Sequence, residues 1–202
     1  MNNKNLIIAE DIKIIAGLLG KTAEQFSGKT ILITGGLGFL GRYLVNTILF
    51  LNGHTLKKPA KIIIIDNNIT STKGNFNLFD DKKSITYINH NIIKPLKISQ
   101  SIDYIIHAAG LASPFYYQKY PLETIDVAVT GTRNMLELAK QKKVKSMLFF
   151  SSSEIYGDPP PSEIPTKEIF RGNVSSIGER ACYDESKRLA ETLCMTYFRL
   201  YK

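Results

Sequence analysis

The sequence predicts an α/β fold: a parallel sheet, doubly wound with helices on both faces, preceded by a separate helix. Three observations predict it. Short apolar runs recur at Lys29–Thr34, Lys61–Ile65, Ile85–Asn89, Tyr104–His107 and Met147–Phe150. Helical patterns lie between several of them, at Phe39–Leu51, Leu122–Lys142 and Tyr183–Leu200. The first run stops abruptly at a glycine cluster. Continuous apolar strands alternating with helices are what a sheet buried on both faces requires. Such sheets bind ligands at the carboxyl ends of their strands.

Ahead of the first strand, Ile8, Ile12, Ile15, Leu18, Leu19 and Phe26 are spaced for a helix from about Ile7 to Phe26. The expected organisation is a helical extension over 1–27 and one nucleotide-binding domain over 28–202. The chain has 202 residues, 44% hydrophobic and 22% charged, enough for one sizeable core. Its net charge of +8 is dispersed in pairs such as Lys57-Lys58 and Lys142-Lys143. No arginine-rich helix and no basic stripe interleaved with aromatics appears, so no nucleic-acid partner is expected. Cys182 and Cys194 are too few for a disulfide scaffold, and no Cys/His spacing suits a metal. Glu10, Asp11 and Lys13 interrupt the N-terminal apolar residues. Neither a signal peptide nor a spanning helix is expected, and the default location is the cytoplasm.

The glycine cluster is Thr34-Gly35-Gly36-Leu37-Gly38-Phe39-Leu40-Gly41. It follows a strand and opens a helix, the context that gives this spacing meaning. Gly35 and Gly38 permit a tight turn and let backbone approach a pyrophosphate, while Gly41 permits close helix–sheet packing. The helix N-terminus then turns its N–H groups toward the anion. This is a Rossmann-type dinucleotide cradle. Asp66 ends the second strand, where a carboxylate binds adenosine ribose hydroxyls and repels a 2′-phosphate, which favours NAD over NADP. It lies 25 residues past Gly41, longer than the usual spacing of about 20, and an insertion around Asn52–Pro59 accounts for the excess.

Two later segments carry reaction chemistry. Ser151-Ser152-Ser153-Glu154-Ile155-Tyr156-Gly157 follows the fifth strand, and Tyr183-Asp184-Glu185-Ser186-Lys187 opens a helix. Tyr183 and Lys187, four apart, share a helical face. A cation beside a phenol favours phenolate, so Tyr183 is a candidate general base for a hydroxyl proton. Lys187 is also placed to hold the nicotinamide ribose. Ser152 would hydrogen-bond the same substrate oxygen.

Together the glycine motif, Asp66, His107-Ala108-Ala109-Gly110, the serine run and the Tyr/Lys pair resemble the extended short-chain dehydrogenase/reductase family. Its members are NAD-dependent epimerases and dehydratases of nucleotide sugars, and the resemblance covers about residues 28 to 202. Within it, the similarity runs toward the UDP-glucuronate decarboxylases. It rests on Ala112-Ser113-Pro114 with the tyrosines after it, on Ser152–Pro159, and above all on Arg180-Ala181-Cys182-Tyr183-Asp184-Glu185-Ser186-Lys187-Arg188. Sugar 4,6-dehydratases of the family carry Thr-Asp-Glu where this chain has Ser152-Ser153-Glu154. The galactose-type epimerases usually lack the glutamate.

The resemblance implies NAD bound through Gly35, Gly38, Phe39, Leu40, Gly41, Asp66, Asn67, Asn91, Ala108 and Ala109, with Tyr183 and Lys187 also touching it. It implies catalysis by Tyr183, Lys187, Ser152 and Glu154, and sugar binding by Ser113, Pro114, Ser153 and Glu154. The implied reaction is oxidation at C4 of UDP-glucuronate, loss of CO2 from the β-keto acid, and return of hydride. A 4-epimerase or 4,6-dehydratase, or a non-catalytic NAD-binding module, remain alternatives. Asn91 departs from a usual aspartate, Ala128 from an asparagine, and Ser175-Ser176 from Asn-Pro. Family members pair as homodimers through the helices at 122–142 and 183–200. They also continue past the helix in which Lys202 falls, into another strand and a small substrate lobe, so this chain is expected to be the cofactor half.

Overall fold

In the computed structural model, residues 3–70 and 82–201 are described. The chain forms a Rossmann-type α/β fold that divides into two compact units. The first takes the described residues within Met1–Asn91, Lys97–Ala109 and Ala139–Leu148. The second takes Ile92–Leu96, Gly110–Leu138 and those described in Phe149–Lys202.

The first unit is built on the sheet. Strands β1 (Thr30–Thr34), β2 (Lys61–Asp66), β3 (Ile85–Asn89), β4 (Tyr104–His107) and β5 (Ser146–Phe149) run in the order β3-β2-β1-β4-β5. β1 pairs in parallel with β2 and β4, and β2 with β3. The three central strands are the most apolar because neighbours cover them. Every residue of β1 is buried, as are Ile62–Ile65 of β2. Edge strand β3 instead exposes Thr86 and Tyr87. Helix α2 (Phe39–His54) crosses from β1 to β2 and buries Val45, Ile48, Leu49 and Leu51 with Ile31, Ile33, Ile62 and Ile64. Each such side chain contributes about 1.5–3 kcal/mol on burial.

The insertion between α2 and β2 is closed by one residue. Asn52 donates to the Ala60 carbonyl at 3.0 Å and accepts the Ala60 N–H at 2.8 Å. The N-terminal helix α1 (Asn3–Leu19) packs on α2, with Tyr43 donating to Asp11 at 2.9 Å. The sequence predicts one helix through Phe26. The α-helix ends at Leu19, where Gly20 adopts φ +50°, and a 3₁₀ turn continues over Gly20–Phe26. The left-handed φ breaks the α-helical ladder there.

The second unit is helical. α3 (Pro114–Lys119) and α4 (Pro121–Asp126) each begin with proline, whose fixed φ suits a first helical position. A π-helical turn, Val127–Gly131, then leads into α5 (Thr132–Lys142), of which the residues through Leu138 belong to this unit. The single helix predicted over Leu122–Lys142 is therefore interrupted. The cause is local packing: a Cβ on Gly131 would lie 2.6 Å from Ile92 Cδ1, so this glycine admits Ile92 where the turn widens. α6 (Ala181–Tyr201) buries Tyr183, Ser186, Lys187 and Ala190 on one face. The proline-rich stretch Asp158–Pro161 lies outside the α-helices, and a 3₁₀ turn over Pro161–Glu163 begins at its end.

Candidate active site

In the first unit, the predicted cradle is held by steric necessity. Gly35 leaves β1 at φ +67°, and a Cβ there would meet the Ala109 backbone at 2.8 Å. A Cβ on Gly41 would meet the Gly35 carbonyl oxygen at 2.1 Å. The Gly38 N–H donates to Gly35 O at 3.0 Å, closing the turn. Phe39 and Leu40 begin α2 with largely exposed side chains.

Ala108 and Ala109 are latched to the same turn. The Ala108 N–H donates to Thr34 O, and the Ala109 N–H to Thr34 Oγ1, both at 3.2 Å. Thr34 Oγ1 also meets the buried His107 Nδ1 at 2.6 Å. No sequence pattern assigns Thr34 or His107 a role of its own. The structure makes them the clamp behind the cradle.

Asp66 stands at the end of β2 with one oxygen accepting the Leu37 N–H at 3.0 Å and the other the Asn68 N–H at 2.9 Å. Its carboxylate is thus oriented by the glycine turn itself. The Asn67 side-chain oxygen caps the Ile69 N–H at 3.2 Å, so a turn occupies it locally. Asn91 lies two residues past β3 and is half-buried. These residues fit a dinucleotide: side chains are excluded where a pyrophosphate would approach, a helix N-terminus adjoins, and a carboxylate is pre-set for ribose.

The second unit holds the residues predicted for reaction chemistry. Tyr183 and Lys187 are both buried on α6, with the Lys187 ammonium 5.8 Å from the Tyr183 ring centre and 4.8 Å from that of Phe149. Lys187 Nζ donates to the Phe150 carbonyl at 2.6 Å. Burial lowers its pKa from 10.5 to about 8, with Glu191 opposing the shift. The Tyr183 ring stacks on that of Tyr117 at 5.2 Å and 20°.

Tyr117 has no sequence signal beyond its place among the tyrosines after Pro114. The helix that carries it accounts for the Ser-Pro pair. Ser113, whose carbonyl accepts the Tyr116 and Tyr117 N–H groups, and Pro114 at the first helical position launch α3. Both Ser113 and Pro114 are exposed.

Ser152 caps the 3₁₀ turn Ser153–Tyr156, its Oγ accepting the Glu154 N–H at 3.3 Å. Ser153 is exposed. The Glu154 carboxylate is paired with the guanidinium of Arg180, which also lies 3.7 Å from Asp184. Burial raises the Asp184 pKa, Arg180 opposes this, and Glu154 and Glu185 add to it. Helical periodicity is silent on Arg180 and Asp184. Their signal lies in the particular segment that opens α6.

The similarities to known proteins agree with this geometry. Residues 31–202 match the family model described as the NAD dependent epimerase/dehydratase family. UDP-glucuronic acid decarboxylase 1 of Arabidopsis thaliana is 43% identical over 170 residues, covering 84% of this chain and 36% of that protein. The protein of the same name from Danio rerio is 40% identical, covering 89% and 40%. The chain thus spans less than half the length of these relatives. Among solved structures, a UDP-galactose 4-epimerase superposes with TM-score 0.69 at 25% identity, covering 85% of this chain and 52% of that one. The UDP-N-acetylglucosamine 4-epimerase of Methanobrevibacter ruminantium gives 0.70 at 25% identity, covering 87% and 52%. With its glycine cradle, terminal aspartate and Tyr/Lys helix all in the matched region, the chain belongs to the NAD dependent epimerase/dehydratase family.

Proposed function

We propose that this chain is the NAD-binding and proton-handling part of a UDP-glucuronate decarboxylase. The observation that carries the choice within the family is the turn after β5, in a chain 40–43% identical to decarboxylases. Its three reaction positions are Ser152, Ser153 and Glu154, and the one carboxylate among them is bound to Arg180. A 4,6-dehydratase needs an acid at position 153 to protonate a departing hydroxyl. A decarboxylase does not, because its leaving group is CO2.

The Gly35–Gly41 turn and the α2 N-terminus would hold the pyrophosphate of NAD, and Asp66 its adenosine ribose. When bound, NAD supplies a reversible hydride acceptor. Tyr183 removes the proton from O4 of the glucuronate ring as C4 is oxidised, with Lys187 beside it on the same face of α6. Ser152 offers a hydroxyl to the same oxygen. The resulting ketone is β to the C5 carboxylate, so CO2 departs as an enolate forms. A proton from solvent at C5 and reduction at C4, with Tyr183 giving its proton back to O4, would yield UDP-xylose. Ser113, Pro114, Ser153 and Glu154 would line the sugar, and the protein would act as a cytoplasmic homodimer through its α4, α5 and α6 helices. Among the described residues no helix is long and apolar enough to cross a membrane.

The test is to incubate the whole enzyme, of which this chain is proposed to be the cofactor half, with NAD and UDP-glucuronate and to analyse carbon. CO2 and a UDP-pentose are expected. Retention of all six carbons would favour the epimerase reading that the solved 4-epimerase structures suggest. NAD binding without turnover of any nucleotide sugar would favour the non-catalytic module. In a protein that turns over, Tyr183→Phe should lower C4 oxidation by about a hundred- to ten-thousand-fold while NAD binding holds. A loss below tenfold would remove Tyr183 as the base.

A further inference from the structure

Arg180 has a place in the geometry that the proton chemistry of Tyr183 does not use. Its guanidinium pairs with Glu154 from the turn after β5 and lies 3.7 Å from Asp184 in the first turn of α6. Its backbone carbonyl accepts the N–H groups of Tyr183 at 2.9 Å and Asp184 at 3.1 Å. One residue therefore ties the glutamate-bearing turn to the helix start that carries the phenol. Arg180, Glu154 and Asp184 also line a cavity of about 520 Å³ together with Asn173, Val174 and Ser175.

The charge count decides what this cluster does. Two carboxylates share one cation, so the cluster is net negative and a poor receptor for a free anion. A guanidinium paired with Glu154 is well suited to fixing that carboxylate, because its planar donors impose geometry as well as charge, while Asp184 at 3.7 Å shares only its charge.

We propose that Arg180 is a positioning residue: its guanidinium fixes the Glu154 carboxylate relative to the Tyr183 phenol, so that Glu154 meets the sugar as an oriented hydrogen-bond acceptor. The inference rests on the decarboxylase reading of the site. Misplacing a reacting group by about 1 Å costs up to about a hundredfold in rate, with little change in affinity.

Two readouts test it, one of which needs no turnover. In the first, Arg180→Met should lower kcat for UDP-glucuronate by about 10- to 100-fold with KM within about threefold, and Arg180→Lys should recover part of that loss. In the second, the carboxyl ¹³C resonance of Asp184 is titrated. Arg180→Met removes the group that lowers the Asp184 pKa, so its midpoint should rise. Glu154→Gln removes one that raises it, so the midpoint should fall. An unchanged kcat in Arg180→Met, or a loss confined to KM, overturns the positioning role. An Asp184 midpoint unmoved by both variants overturns the shared cluster itself. If the Asp184 shifts appear but the unmutated whole enzyme turns over no nucleotide sugar, the decarboxylase reading fails, and the positioning role of Arg180 falls with it.

Discussion

Asp66 has both carboxylate oxygens engaged by backbone, through Leu37 and Asn68, yet each oxygen keeps a second lone-pair site. Ribose hydroxyls can use those sites, whereas a 2′-phosphate meets a negative charge that the glycine turn holds rigidly. Calorimetry should therefore show NAD binding at least about tenfold tighter than NADP, or about 1.4 kcal/mol. Asp66→Ala should erase most of that gap. Tighter NADP binding by the unmutated chain would refute the assignment. Lys187 makes a second prediction at this scale. Burial lowers its pKa from 10.5 to about 8, so between those values the unfolded chain binds the extra proton. Stability attributable to this group thus rises with pH from about 8 to 10.5, by up to about 3 kcal/mol at 1.36 kcal/mol per unit. Urea midpoints of the chain and of Lys187→Met, compared across that window, should converge or cross in favour of lysine as pH rises. A pH-independent difference would mean that Lys187 is solvated in the folded protein.

Helix α2 contains its own control for the claim that steric exclusion builds the cradle. A Cβ at Gly41 would meet Gly35 O at 2.1 Å and Gly36 Cα at 2.7 Å, whereas a Cβ at Gly53 in the same helix meets nothing within 4 Å. Gly41→Ala should destabilise by about 1–3 kcal/mol or more, because backbone must move. Gly53→Ala should stabilise by up to about 1 kcal/mol through reduced freedom of the unfolded chain. Denaturant titration giving the same sign for both would contradict the packing at Gly41. The contrast also marks what is legible in the sequence. The β1–glycine–α2 unit is readable because strand, turn and helix each demand particular residue types over a short span. The π turn at Val127–Gly131 is not, since apolar periodicity there suits an unbroken helix and only the packing of Ile92 shows the widened turn. The Tyr117–Tyr183 stack and the Glu154–Arg180–Asp184 cluster join residues 66 and 26 positions apart (183 − 117 and 180 − 154), and no local pattern encodes such pairings.

Self-association is where charge and apolar surface act against each other. Leu122 and Ile125 are three apart on α4, and Phe198 and Tyr201 three apart on α6, all at least 39% exposed. α4 and α6 pack together, so these side chains belong to one helical layer of the second unit. Pairing that layer with a second copy would bury apolar side chains that otherwise face water, at about 25 cal/mol per Å². Against this, each chain carries a net +8, so two copies repel. Salt screens such repulsion over about 10 Å at 0.1 M and leaves apolar burial intact. The expected outcome is a homodimer whose dissociation constant falls as salt rises. In sedimentation at micromolar concentration the chain should approach twice its 22.7 kDa, and more fully at 0.3 M than at 0.03 M salt. Phe198→Glu combined with Leu122→Glu should give a monomer at every salt concentration with the fold retained by circular dichroism. A monomer throughout for the unmutated chain, or dimerisation that weakens with added salt, would show that these helices are not the contact.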